Sequence, residues 1–214
     1  MKALIICSVH ALCDISAFER QAFNDACTRH GIPAVLTTED HAQSIAAISM
    51  LDLINHLPGS PKQRRALRDS YLDLLNEAVW GAPIAVRQSV FEALRNPGGM
   101  PRPTGFVSDY PQLTTNLVRA AALRTEATRL GKLSPVLAPP ASSPVAARLE
   151  SLAASLGMAH SDIHVLVAHR RDYSAARSLG MQPRLIAELR SSAPPEVIGR
   201  TTPDLVRSVS AIAA

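Results

Sequence analysis

Met1-Lys2-Ala3-Leu4-Ile5-Ile6-Cys7-Ser8-Val9-His10-Ala11-Leu12-Cys13-Asp14 opens the chain. Ala3 to Ile6 is apolar without alternation and passes directly into small and polar residues. A run this short and apolar on both faces fits a strand buried inside a parallel sheet, ending near Cys7.

Working outward, the pattern changes at Ser16. Phe18, Ala22, Phe23 and Ala26 recur at helical spacing, and Gly31-Ile32-Pro33 supplies a stop after about four turns. Thr38-Glu39-Asp40 reads as the cap of a second helix that continues through Ile45 to Leu57, until Pro58-Gly59-Ser60-Pro61 breaks it. A third helix from Lys62 to about Trp80 carries Leu67, Tyr71, Leu74 and Leu75 on one face, with Tyr71 and Trp80 expected as packing residues. The spacing therefore predicts a run of helices directly after a single strand.

Beyond Gly81-Ala82-Pro83 the chain returns to alternating strands and helices. Helical patterns are expected over Ser89–Leu94, Leu113–Leu130, Pro144–Leu156, Tyr173–Leu179 and Thr202–Ile212. Short strands are expected at Gly105–Ser108, around Leu133–Leu137, at Ile163–Val167 and at Arg184–Leu189. Repeated strand-then-helix units imply an α/β fold with a Rossmann-like parallel sheet covered on both faces. Residues 1–13 and 82–214 are expected to form that core, and 14–81 an inserted helical cap. Ligands of such sheets bind beyond the carboxyl ends of the strands, which directs attention to Cys7–Asp14, Ser108–Tyr110 and Ala168–Asp172.

Composition narrows the function classes. With 214 residues, 47% of them hydrophobic and only 4% aromatic, the chain has the means for one aliphatic core and a second small module. The 22 basic and 18 acidic residues give a formal charge of +4, but no block of like charge forms a nucleic-acid tract. No stretch approaches the roughly 18 uninterrupted apolar residues of a membrane span, and the apolar run after Lys2 is too short for a signal sequence. The three cysteines, Cys7, Cys13 and Cys27, do not make a fully paired disulfide framework. A cytoplasmic, reduced protein is expected, with neither nucleic acid nor membrane as partner.

Three stretches together resemble the haloacid dehalogenase superfamily, in its branch of β-phosphoglucomutase-like and phosphoglycolate-phosphatase-like proteins with a helical cap. They are Met1 to Ile6 with Leu12 and Asp14; Phe18 with Arg20-Gln21-Ala22-Phe23-Asn24; and Ala175-Ala176-Arg177 with Leu179-Gly180-Met181. The resemblance implies a nucleophilic Asp at the end of the first strand and an acid/base Asp two residues later. Those positions hold Cys7 and Val9, and the Gly and Thr that follow become His10 and Ala11. It implies a phosphate-binding hydroxyl at the next strand end, which Ser108 supplies. It also implies a Lys before Pro144, where Ser143 stands, and a magnesium-binding acidic pair, where Val167 and Ala168 stand. Asp172 matches a further Asp found in some branches, and Glu19 replaces a His that is usual in the cap. Ile48 and Met50 match positions of basic substrate-binding residues.

On this resemblance the chain is expected to be a pseudo-phosphatase that binds a small anionic molecule or a protein partner. Magnesium is not expected, because a hard cation needs the carboxylates that are missing, and phosphoryl transfer without nucleophile, metal and Lys has no mechanism. Ser108, Asp109, Arg170 and Arg171 are the candidate ligand-binding residues, since guanidinium groups and strand-end donors favour oxyanions. Cys7, His10 and Cys13 have the spacing of a thiol or metal site, with His169 and Asp172 on the neighbouring loop. Three readings of them stay open: a soft metal such as zinc, a Cys7–His10 nucleophilic pair in a hydrolase of altered chemistry, and plain core filling.

Overall fold

The computed structural model describes residues 3–82, 84–87, 90, 104–124, 136–137, 144–186 and 196–198. Five strands form a parallel sheet in the order β4-β3-β1-β5-β6. They are β1 (Ala3–Cys7), β3 (Thr104–Val107), β4 (Val136–Leu137), β5 (Ile163–Val167) and β6 (Gln182–Leu185). β1 lies at the centre, in register with β3 through Cys7 opposite Val107 and with β5 through Cys7 opposite Val167. A separate antiparallel pair joins β2 (Ile84–Val86) to β7 (Glu196–Ile198).

The alternation of side chains along β1 divides the core in two. Leu4 and Ile6 point to one face, where Phe106 and Leu166 join Phe23, Ile54, Leu67, Tyr71 and Leu75 in one apolar cluster. Ala3, Ile5 and Cys7 point to the other, against Leu149, Leu152, Ala153 and Ala176. The second face is covered by α6 (Val145–Leu156) and α7 (Arg170–Ser178). Gly105 in β3 allows α6 its close approach, because a Cβ there would lie 2.7 Å from a Leu152 methyl carbon.

Residues 16–81 are helical with no strand among them: α1 (Ser16–Arg29), α2 (Thr38–Ala47), α3 (Met50–His56) and α4 (Pro61–Gly81). Asp14 accepts the Ser16 amide proton at the start of α1. Reciprocal capping boxes start α2, between Thr37 and Asp40, and α4, between Ser60 and Gln63. The single helix expected from Thr38 to Leu57 is instead two, because Ile48 and Ser49 are extended and the Ser49 hydroxyl caps α3 by accepting the Asp52 amide. The chain leaves the sheet and returns side by side: the Arg87 amide donates to the Leu12 carbonyl at 2.8 Å. Tyr71 is fully buried as expected, but Trp80 is 46% exposed and is not a packing residue.

After β3 comes α5 (Pro111–Arg124). The short helix α7 begins three residues earlier than its apolar spacing implied, at Arg170, and Gly180 beyond it is left-handed with φ 75°. The expected turn over 98–103, the closing helix over 202–212, Ser143 and all but one residue of the 89–94 helix lie outside the described residues. Among the described residues no helix is long and apolar enough to cross a membrane.

Candidate functional site

The carboxyl ends of β1, β3 and β5 meet the helices of residues 16–81 at a small pocket. Its lining includes Ser8, His10, Glu19, Ser49, Asp109, Tyr110, His169 and Arg171. All three strand-end segments singled out from the sequence contribute to it. The pocket is small, with room for about one water molecule.

Ser8 sets the site's geometry. With φ 72° and ψ 152° it is the only non-glycine residue with positive φ among the described residues, in a region that costs a side-chain-bearing residue on the order of 1–3 kcal/mol. Its amide donates to the Val107 carbonyl and its hydroxyl accepts the His10 amide. The sharp bend starts a 3-10 turn over Val9–Ala11 that turns His10 away from the strand.

His10 is directed at Glu19, with Nε2 3.1 Å from Oε2; His41 of α2 approaches the same oxygen at 3.3 Å. Oε1 accepts the Tyr110 hydroxyl proton at 2.7 Å. Because that proton is committed, the 2.7 Å contact between the two phenols has Tyr71 donating to Tyr110. Glu19 is only 2% exposed. Burial alone would raise its pKa, but the His10 charge and the donors around it hold the carboxyl well below the usual range. Burial likewise opposes charge on His10, and Glu19 overcomes it and raises the imidazole. His169 packs edge-on against His10 at 4.9 Å between ring centroids. Burial first and the His10 charge second push it down to about 3.

A second cluster lies on the α6/α7 face. Arg148 Nη2 is 2.8 Å from Asp109 Oδ1, Arg171 Nη2 is 3.9 Å from Asp109 Oδ2, and Arg171 Nε is 3.3 Å from Asp172 Oδ1. The charges acting on the Cys7 thiol are these four. Ser108 accepts the Tyr110 amide at 3.0 Å and the Thr114 hydroxyl at 2.7 Å, which leaves its own proton to donate.

Several solved structures share the fold of this chain. CbbY from Rhodobacter sphaeroides in complex with phosphate has a TM-score of 0.69 at 14% identity, covering 86% of each chain. A family IA, variant 3 hydrolase from Entamoeba histolytica has a TM-score of 0.66 at 13% identity, covering 98% of this chain and 99% of its own. A haloacid dehalogenase-like hydrolase from Streptococcus pneumoniae has a TM-score of 0.63 at 13% identity, covering 86% and 83%. The fold is that of the helical-cap haloacid dehalogenase hydrolases. No family model and no curated protein matches the sequence.

Within the haloacid dehalogenase fold the candidate residues separate clearly. Ser108, Asp109 and Arg171 lie together at the strand ends. Arg170 does not join them: as the first residue of α7 it is exposed. Cys7 and His10 do not form a pair, because the Cys7 side chain points into the α6/α7 core while His10 is engaged by Glu19. Cys7 is 1% exposed, and burial pushes its thiol well above its ordinary value. Burial also pushes Cys13 up to about 12.

The side chains present do not fit magnesium. The acids beside Cys7 are Asp109 and Asp172, and each faces a guanidinium where a dication would compete with it. Zinc fits no better, since the Cys7 side chain points into the α6/α7 core, away from His10, which is directed at Glu19. Among the described residues no group of three His, Cys, Asp or Glu side chains is placed to hold a metal ion.

Tyr110 lay in the strand-end segment Ser108–Tyr110 and Glu19 was noted only where a cap His is usual; Glu19, His41 and Arg148 were not singled out as site residues from the sequence. A signal existed for two. Glu19 interrupts the apolar stripe of Ala22, Phe23 and Ala26, and Arg148 shares a helical face with Leu149, Leu152 and Ala153. A lone charge inside an apolar stripe is a side chain that needs a buried partner.

Proposed function

We propose that this chain is a non-catalytic, cytoplasmic protein on the haloacid dehalogenase fold, a pseudo-phosphatase that binds a small anionic ligand or a protein partner, not nucleic acid or a membrane. The observation that carries the proposal is the state of Cys7. At the end of the central strand, where the resemblance puts the nucleophile, stands a thiol packed in the core and held protonated. Around it are two carboxylates and two guanidinium groups that neutralise one another. A phosphoryl-transfer site needs uncompensated positive charge for the migrating group and a nucleophile poised to attack.

No contact favours the alternative hydrolase centred on Cys7 and His10, because the base that would activate the thiol is held by Glu19. A phosphate-release screen over common phosphorylated metabolites with magnesium tests the proposal. The expected result is no turnover above background. Turnover abolished in Cys7→Ala would replace the proposal with a thiol mechanism.

A further inference from the structure

Arg148 is 4% exposed, yet its Nε and Nη1 have no hydrogen-bond partner among the described residues. Buried guanidinium groups are stabilised by acceptors that fill their planar fork, and one acceptor at Nη2 leaves most of that capacity unused. Asp109, its partner, has the more accessible side chain at 13% and lines the pocket. Its second oxygen reaches toward Arg171 only at 3.9 Å, an ion pair without a hydrogen bond. One carboxylate thus stands between two guanidinium groups and satisfies neither fully, at the strand end where Ser108 still has a proton to give.

We infer that Asp109 is an internal pseudo-ligand, a carboxylate seated in an oxyanion site made by Arg148 and Arg171, and that a small oxyanion binds there by displacing it. This rests on the anion-binding reading above and deepens it. The ligand chemistry is that of an oxyanion: a carboxylate, which matches the two oxygens of Asp109 without its tether, or a phosphate group, which offers more acceptors to the same donors. Asp172 balances the remaining charge: its carboxyl is buried against Arg171, so that guanidinium stays oriented when Asp109 leaves. In the resting protein the Asp109 carboxylate competes for the site at very high effective concentration, since it is tethered one residue from Ser108. The site is therefore autoinhibited, and its affinity for a free anion is set by how readily the Asp109 side chain swings toward the pocket.

Calorimetric titration with sodium phosphate, and separately with sodium formate, at ionic strength matched by chloride, tests this on the full chain. Asp109→Ala is expected to bind at least one of the two about tenfold more tightly than the unmodified protein, equivalent to about 1.4 kcal/mol. Asp109→Ala/Arg148→Met is expected to lose the gain. A gain for phosphate alone assigns a phosphorylated ligand, and a gain for formate alone a carboxylate. Equal affinities for the unmodified protein and Asp109→Ala, or a gain that survives Arg148→Met, would overturn the inference. Should Asp109→Ala fail to fold, Asp109→Asn removes the charge and keeps the volume; it too must bind the anion several-fold more tightly, and unchanged affinity overturns the inference equally. Phosphate turnover in the screen would end the non-catalytic proposal and leave these titrations standing. Absence of anion binding would end this inference and leave the absence of turnover intact.

Discussion

Glu19 and Asp109 are both largely buried carboxylates, each within reach of two nitrogen bases, and they meet at the same end of the same sheet. Glu19 has its partners from every side: Tyr110 on one oxygen, His10 and His41 on the other, and Tyr71 behind Tyr110. Its network ties α1, α2 and α4 to the loops after β1 and β3. Asp109 faces Arg148 closely and Arg171 at a distance. Of the buried atoms without a hydrogen bond among the described residues, Glu19 Oε2 and His41 Nε2 face each other at 3.3 Å, as do Arg171 Nε and Asp172 Oδ1, whereas Arg148 Nε and Nη1 belong to no ion pair. A buried polar network whose members are nearly all engaged fixes a structure, whereas one with spare donors is poised to take a ligand. The first cluster is thus a clamp between the helices of residues 16–81 and the sheet, and the second is the place where binding is expected.

Glu19→Ala gives the largest effect. Removing the acid from a buried ion pair leaves its partners desolvated and uncompensated, which costs about 3–5 kcal/mol. Urea unfolding of the variant should show that loss with little change in denaturant slope. A loss under about 1 kcal/mol would mean that the clamp is dispensable, and the contrast with Asp109 would fail.

A pH profile of stability comes next in size. The raised pKa of His10 makes the folded state bind its proton first, so this contribution is complete below the unfolded value of 6.5 and is lost as pH rises through the folded value. His169 runs the other way. Its folded value of about 3 lies below 6.5, so the unfolded state takes up the proton first and stability falls as pH drops from 6.5 toward 3. The lowered Glu19 steepens that acid limb once pH passes below 4.5. Stability should therefore peak near pH 6.5. In His169→Asn the decline between pH 6.5 and 4.5 should flatten while the alkaline limb remains. An unchanged acid limb in that variant would remove His169 from the account.

The sheet and the helical run were readable because their signal is local. Ala3–Ile6 and Ile163–Val167 are apolar without interruption, and residues 16–81 keep helical spacing, so pattern alone placed them. Splitting α2 from α3 was missed because Ile45 to Leu57 keeps an apolar period across a break that depends on one side chain, the Ser49 cap. The site was legible only in part. Cys7, Ser108 and His169 were found from their places after strands, which topology fixes. Glu19 and His41 belong to the same site through the contact of α1 with α2 and of Glu19 with His10 and Tyr110 on the loops after β1 and β3, and sequence spacing carries no record of that contact. Arg148 comes from α6, across the sheet edge from Asp109, and only its position within an apolar stripe marks it.

The finest distinction concerns neighbours. Arg170 and Arg171 look equivalent in sequence and were both expected to hold an anion, yet α7 turns them about 100° apart. Arg170 is exposed at the helix start. Arg171 reaches inward to Asp109 and to Asp172, whose carboxyl burial raises and the Arg171 charge lowers. Arg170→Ala should leave the thermal midpoint within about 2 °C, as exposed substitutions away from special features do. Arg171→Ala strands a buried carboxyl and should lower the midpoint by about 4–8 °C, the shift that a loss of about 2 kcal/mol gives in a chain of this size. It should also weaken the anion affinity that Asp109→Ala exposes, whereas Arg170→Ala in the same background should not. Equal effects of the two arginines on midpoint and affinity would mean that α7 presents both to the ligand, and the second cluster would have to be redrawn around the helix start.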